Sequence, residues 1–272
     1  MPRPSPEFTR SAQLVELSNA GYFTLPAEVT DAHTVVTRLA EERASARRDL
    51  AAPALALLHD ATFEAAHGRG SWPTGEDVVA AQAAQQAADL RVGALDAALE
   101  AARDEFVTVV RDLADAIVVD HLRPRFDKVV AETRPAAAAV AEFGGDLAAL
   151  VAAPKPARDA WLGLDALVGA YDTLRRARGI VYAGRTPKLD DRNIFAELAN
   201  LPDIWPSWRA QVDPPWPAAP KDRLCWLVSG PAKPWLPTLD EQDERFEERF
   251  AGELENMRRS RLIAAGGVHA GL

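Results

Sequence analysis

The chain has 272 residues, 48% hydrophobic and 26% charged, with a formal net charge of −9 and a pI near 5.1. That is enough apolar surface for at least one sizeable core, and the acidity argues against nucleic acid or an anionic membrane as the main partner, since phosphate binding needs a basic face. A single cysteine, Cys225, excludes an intrachain disulfide and a thiolate zinc cluster, and no apolar run reaches the roughly 18 residues of a spanning helix.

The start, MPRPSPEFTR, lacks the apolar core of a secretion signal, so the expected setting is the cytoplasm or a soluble particle. Met1 to Glu7 is Pro-rich and reads as extended. Ser11 to Asn19 can form a short helix through Leu14, Val15 and Leu17, ended by Gly21. Thr30 or Asp31 can cap a second helix with Val29, Val36 and Leu39 on its apolar face, continuing to about Asp49. Pro53 suits the first turn of a third, with Leu55, Leu58 and Phe63 inward and Gly68 and Gly70 at its end. Trp72 is placed to staple the start of the next helix.

That next helix, Thr74 to Leu122, is the stretch around which the chain is organised. Thr74 with Asp77 has the form of a capping box. Beyond it, Val78, Ala81, Gln85, Ala88, Val92, Leu95, Leu99, Ala102, Phe106, Val109, Leu113 and Ala116 form a seam. Its period of about 3.5 residues keeps one stripe of a helix against a partner helix. At 1.5 Å per residue such a helix is on the order of 70 Å long, which predicts a rod with other helices along it. Pro124 predicts a kink or restart, and Pro135 a second break. A short helix follows from Asp146 to Val151. Pro156 opens another through Ala160, Leu164, Leu167, Tyr171, Leu174 and Val181, the best internal candidate for an antiparallel partner of the rod. The basic cluster Arg175, Arg176 and Arg178 reads as the favourable charges of its last turn.

From Thr186 the texture changes. Asp190 or Asp191 can cap a short helix through Ile194, Phe195 and Leu198. Trp205, Trp208, Trp216, Trp226 and Trp235 then arrive interleaved with prolines, predicting an ordered strap across the helical body, with Leu224 to Val228 as its one strand. Thr238 and Glu241 form a capping box for a last helix, with Phe246, Phe250, Leu254 and Met257 as its buried stripe and Gly266 and Gly267 as its stop. The expected fold is all-α, an elongated helical bundle in three parts: an N-terminal helical segment at 1–73, a long-helix bundle at 74–185, and the strap with its final helix at 186–272.

Local signatures of chemistry are sparse. The chain holds no GxGxxG after a strand, GxxxxGK[ST], HExxH, GxSxG or EF-hand loop. "DAHTVVTRLA", carrying His33, and "ALALLHDA", carrying His59 and Asp60, resemble the first two pieces of the HD-domain metal phosphohydrolases. Those are all-helical enzymes in which a histidine, a His-Asp pair and a distant aspartate hold metal ions that activate water. The resemblance covers these two short segments, with the distant aspartate coming from Asp112, Asp115 or Asp120. It implies His33, His59, Asp60 and Asp115 as metal ligands and a phosphate ester as substrate. The chain departs from the family after Asp60, where Ala61, Thr62 and Phe63 replace small residues and a lysine.

Read by themselves, His33 and His59 lie at the margins of apolar helix faces, and His121 beside Asp120 is placed to cap carbonyls freed by the kink. Asp190, Asp191 and Asn193 serve as a helix cap, and Cys225 between Leu224 and Trp226 is packed rather than nucleophilic. The function expected is therefore structural or interactive, without metal or cofactor. Long helical surfaces would bind copies of the same chain or another protein of a larger assembly, such as a virion, and neither nucleic acid nor membrane.

Overall fold

In a computed structural model of the chain, some helices begin with side-chain caps and others with a proline in the first turn. The structure describes residues 4–50, 54–143, 147–185, 195–210 and 214–266. The first helix, α1 (Pro6–Asn19), starts earlier than the prolines suggested. Ser5 Oγ accepts the Phe8 amide at 3.1 Å, and Pro6 sits in the first turn, where a missing amide breaks no helical bond. Gly21, at φ 83°, turns the chain, and the Ser18 hydroxyl donates to the Phe23 carbonyl across that turn at 3.1 Å.

Next come α2 (Ala27–Leu50), α3 (Ala54–Ala66) and the long α4 (Gly75–Asp112). At 38 residues α4 is about 57 Å long. Its capping box forms as predicted: the Asp77 amide donates to Thr74 Oγ1 at 3.3 Å and the Thr74 amide to Asp77 Oδ2 at 2.7 Å. Trp72 does not staple it, being 65% exposed.

The chain divides into two compact units: Met1–Ala12 with Pro26–Val110, and Gln13–Leu25 with Arg111–Leu272. In the first, α2 runs antiparallel to α4. The His33 ring meets Phe106 at 5.4 Å near one end, while Arg47 reaches Asp96 at 3.2 Å and Glu42 faces Arg91 at 3.7 Å near the other. Arg43 also bonds Asp96, and Phe8 packs edge-on against Phe106 at 5.8 Å. The buried members of α4 here are Leu99, Ala102, Phe106 and Val110. The predicted seam thus holds to Phe106 and then moves by one residue, from Val109 to Val110. A straight helix drifts in this way against a strict 3.5-residue repeat.

In the second unit the long helix is interrupted before Pro124 rather than at it. After Asp112 come a single turn, α5 (Ala114–Ala116), and a π-helical turn, Ile117–Leu122, before α6 (Arg123–Val140). The Arg123 amide bonds the Val118 carbonyl, five residues back, and Pro124 occupies the first turn of α6. Pro135 does not break α6, contrary to expectation. Phe126, Val129, Val130, Ala137 and Val140 are all buried, and their packing outweighs a mid-helix proline's cost of about 3 kcal/mol. After α7 (Leu147–Ala152), α8 (Lys155–Val181) finds its main partner in α6, the segment beyond the interruption, where sequence had suggested the rod.

The C-terminal part holds α9 (Leu201–Ile204), α10 (Pro220–Ser229) and α11 (Leu239–Gly266). No strand occurs among the described residues, only an isolated antiparallel bridge between Leu198 and Pro234. The strand predicted at Leu224 to Val228 is instead the body of α10. Pro220 stands in its first turn beside Asp222, and Leu224 and Leu227, three apart, are its buried face. The tryptophans pack on one another as expected of a strap, with Trp205 against Trp216 at 5.0 Å and Trp216 against Trp226 at 6.2 Å. Thr238 and Glu241 make their reciprocal cap at 2.8 and 3.2 Å. Phe246 and Phe250 pack on Phe195, and α11 bends at Phe250. The Leu254 and Met257 side chains, Asp190, Asp191, Asn193, Ile194 and Gly267 lie outside the described residues. Among those described, no helix is long and apolar enough to cross a membrane.

Phe106→Ala should destabilise the first unit by about 3–5 kcal/mol in urea unfolding, since the fully buried ring leaves a cavity among Phe8, His33 and α4. A second outcome concerns Glu241. Burial works to raise its pKa, but bonds from the Thr238 amide and from Arg123 outweigh it and hold the carboxyl below 4.5. A depressed folded pKa contributes stability above the ordinary value and loses it as pH falls through the folded one. Wild-type stability should therefore fall more steeply than that of Glu241→Gln between about pH 5 and 3.

Candidate interaction surface

Part of the first unit leaves large apolar side chains in solvent while burying few residues fully. Between Ala46 and Leu99, the buried residues among those described are Ala65 and Ala81. Several large apolar residues of the same stretch face outward, Leu57 at 68% exposure, Phe63 at 53%, Trp72 at 65%, Val79 at 66% and Leu90 at 67%, while Leu58, Val92 and Leu95 are half-buried. On α4 the outward stripe runs Val79, Ala83, Gln86, Leu90, Ala94 and Ala97, at steps of three and four, on a different face from the buried Ala81 and Leu99. Phe63 stacks on the exposed His67 ring at 4.2 Å, which leaves its other face in solvent. Each large side chain left in water forgoes about 1.5–3 kcal/mol of burial.

The residues of the HD-domain resemblance have separate surroundings. His33 is half-buried against Phe106, and its carbonyl accepts the Thr37 hydroxyl at 3.0 Å. His59 and Asp60 are both strongly exposed on α3, with Nδ1 and Oδ1 4.0 Å apart. Asp115 Oδ1 accepts the Tyr182 hydroxyl at 2.6 Å, and burial together with this carboxylate raises the Tyr182 pKa. Among the described residues, no group of three His, Cys, Asp or Glu side chains is placed to hold a metal ion. His121, expected beside carbonyls freed at the kink, has its Nδ1 2.9 Å from the Thr24 hydroxyl.

What sequence reasoning missed is a set of arginines in the second unit that bind backbone oxygens. Arg175 and Arg178 are not merely last-turn charges of α8. Arg175 donates to the carbonyls of Ala196 at 2.5 Å, Trp235 at 3.0 Å and Glu197 at 3.4 Å. Arg178, itself buried, donates to the Pro237 carbonyl at 2.5 Å and to Gln242 Oε1 at 2.7 Å, and its guanidinium lies 5.2 Å from the centre of the Tyr182 ring. Burial lowers its pKa to about 10, so it remains a cation at neutral pH. Arg123 donates to the Leu236 carbonyl at 3.2 Å and pairs with Glu241, while Arg245 donates to the Ala199 carbonyl at 2.9 Å. A signal was there to be read. The α8 seam steps from Leu174 to Val181, and Arg178 fills the skipped place between them.

Beside these ties lies a cleft of about 280 Å³ lined by Tyr171, Asp172, Arg175, Glu197 and Arg223. Arg223 reaches both Glu197 carboxylate oxygens at 3.0 Å and the Tyr171 hydroxyl donates to the same carboxylate at 3.4 Å. Burial raises the Tyr171 pKa, so the hydroxyl keeps its proton as a donor. With Arg175 committed to carbonyls, the charges of the cleft serve mainly to hold its walls together. Comparison with protein-family models, curated proteins and solved structures returned no match.

Replacing Arg178 by Met should remove the bonds it gives to Gln242 Oε1 and the Pro237 carbonyl, at a cost of about 1–3 kcal/mol. Limited proteolysis should then cut within residues 230–250 faster than in the wild type, while helicity by circular dichroism is retained.

Proposed function

We propose that this protein is a non-enzymatic assembly component that binds through its long helical surfaces, with α3 and the first half of α4 as the contact face and a second copy of the chain as its partner. The observation that carries the reading is the exposure of large apolar side chains, Leu57, Phe63, Trp72, Val79 and Leu90, along a stretch in which Ala65 and Ala81 are the fully buried residues among those described. A helix face that leaves large apolar side chains in solvent suits a surface that another molecule covers. The small residues of the outward stripe, Ala83, Ala94 and Ala97, let a second helix approach closely, while Val79 and Leu90 supply the apolar area. The same stretch carries both signs of charge, Glu64 with Arg69 and Asp89 near Arg91, which suits a face meeting a copy of itself. A virion or another large macromolecular assembly is a setting that uses such a face.

Light scattering across micromolar concentrations should report a mass above the monomer, and the Val79→Asp, Leu90→Asp double variant should be monomeric with unchanged helicity. A wild type that stays monomeric throughout, or a double variant that assembles as well as the wild type, would overturn the proposal.

A further inference from the structure

A second cavity in the unit built around α6, α8 and α10 has a composition the assembly reading does not use. Its volume is about 510 Å³, within the range of small-molecule sites. Ala137 of α6 and Ala141, in the turn just beyond its end, form one wall, and Trp161 of α8 and Trp226 of α10 contribute indoles, with Cys225 beside them. The alanines leave the space open, where larger side chains would have filled it.

Among the described residues, the carboxylate of the lining is Asp222. The cations on either side of it in sequence are drawn elsewhere. Lys221 pairs with Asp165 at 2.8 Å and donates to the Trp161 carbonyl at 3.1 Å, while Arg223 pairs with Glu197 at 3.0 Å. Among the described residues no ion pair or hydrogen bond engages the Asp222 side chain. Its place in the first turn of α10 favours a negative charge there, but the helix end supplies only a partial positive charge. Cys225 has no cationic form to offer, and burial and the Asp222 carboxylate both raise its pKa, so it adds no second negative charge.

The tryptophans of this region also share a habit. Lys221 lies 4.6 Å from the centre of the Trp161 ring, Arg209 4.9 Å from Trp208, and Arg223 5.2 Å from Trp216. Trp226, which faces the cavity, has no Lys or Arg over its ring among the described residues. An aromatic face and an uncompensated carboxylate beside an apolar space are the elements that recognise a cation carrying an apolar body.

We infer that this cavity binds an organic cation with an apolar body, a hydrophobic amine or quaternary ammonium, its charge set between Asp222 and the Trp226 ring and its body against Ala137 and Ala141. The apolar lining alone would accept neutral molecules equally well, so the carboxylate is what gives the site its preference. Ala141 is exposed at the cavity wall, and a phenyl ring placed there fills the space without entering the core.

Titration calorimetry of the full chain with benzyltrimethylammonium, benzyl alcohol and benzoate tests this directly. The cation should bind most tightly, Asp222→Asn should weaken it about ten-fold, and Ala141→Phe should abolish it, both variants keeping wild-type helicity. Absence of measurable cation binding by the wild type, equal affinity for benzyl alcohol, or an Asp222→Asn variant that binds the cation as before would each overturn the inference. None of these outcomes depends on the contact face of α3 and α4.

Discussion

The second unit depends on how a proline-rich segment satisfies its own backbone. Proline has no amide to give, and a chain that follows neither helix nor sheet leaves carbonyls without partners. Here the donors come from arginine side chains of the neighbouring helices and of α11 itself. Arg123 takes Leu236, Arg175 takes Ala196 and Trp235, Arg178 takes Pro237, and Arg245 takes Ala199. The Trp235 indole adds one more donor, to the Phe195 carbonyl at 2.6 Å. Guanidinium suits the task because its planar fork presents several donors in fixed directions and it is less strongly hydrated than an ammonium. The segment is thereby held against α6 and α8 without a sheet.

The first unit is held together differently. Its consolidated end joins Phe8, His33, Val36, Leu99 and Phe106 with the Arg43–Asp96 and Arg47–Asp96 ties. Toward α3 and the start of α4 the fully buried positions among those described are alanines, and several of the larger apolar groups turn to solvent. Helix formation there rests on alanine's propensity and on the Thr74–Asp77 cap more than on burial. A helix sustained this way can present a whole face outward, which is the physical basis of the assembly reading.

The HD-domain resemblance shows what a short motif leaves undetermined. His59 and Asp60 are adjacent in sequence, yet a metal site needs convergence from several elements, and both side chains point into solvent with His33 engaged against Phe106. Conversely, Arg178 carries no signature at all and is among the most committed polar groups of its unit. A donor's role is set by the oxygens that surround it, and those come from residues about 60 positions away in the chain.

What sequence alone determined is the helical class and the start of its clearest helices. Thr74 with Asp77 and Thr238 with Glu241 close bonds across three residues, and the apolar spacing of Leu164, Tyr171 and Leu174 is set within about three turns of one helix. Such local terms act before any tertiary contact exists. The pairing of α8 with α6, the passage of α6 through Pro135, the choice of helix over strand at Leu224 to Val228, and the burial of Arg178 were decided only in the folded chain. In each, a local preference worth a few kcal/mol at most met a larger sum of burial and hydrogen bonding supplied by distant residues, and the sum prevailed.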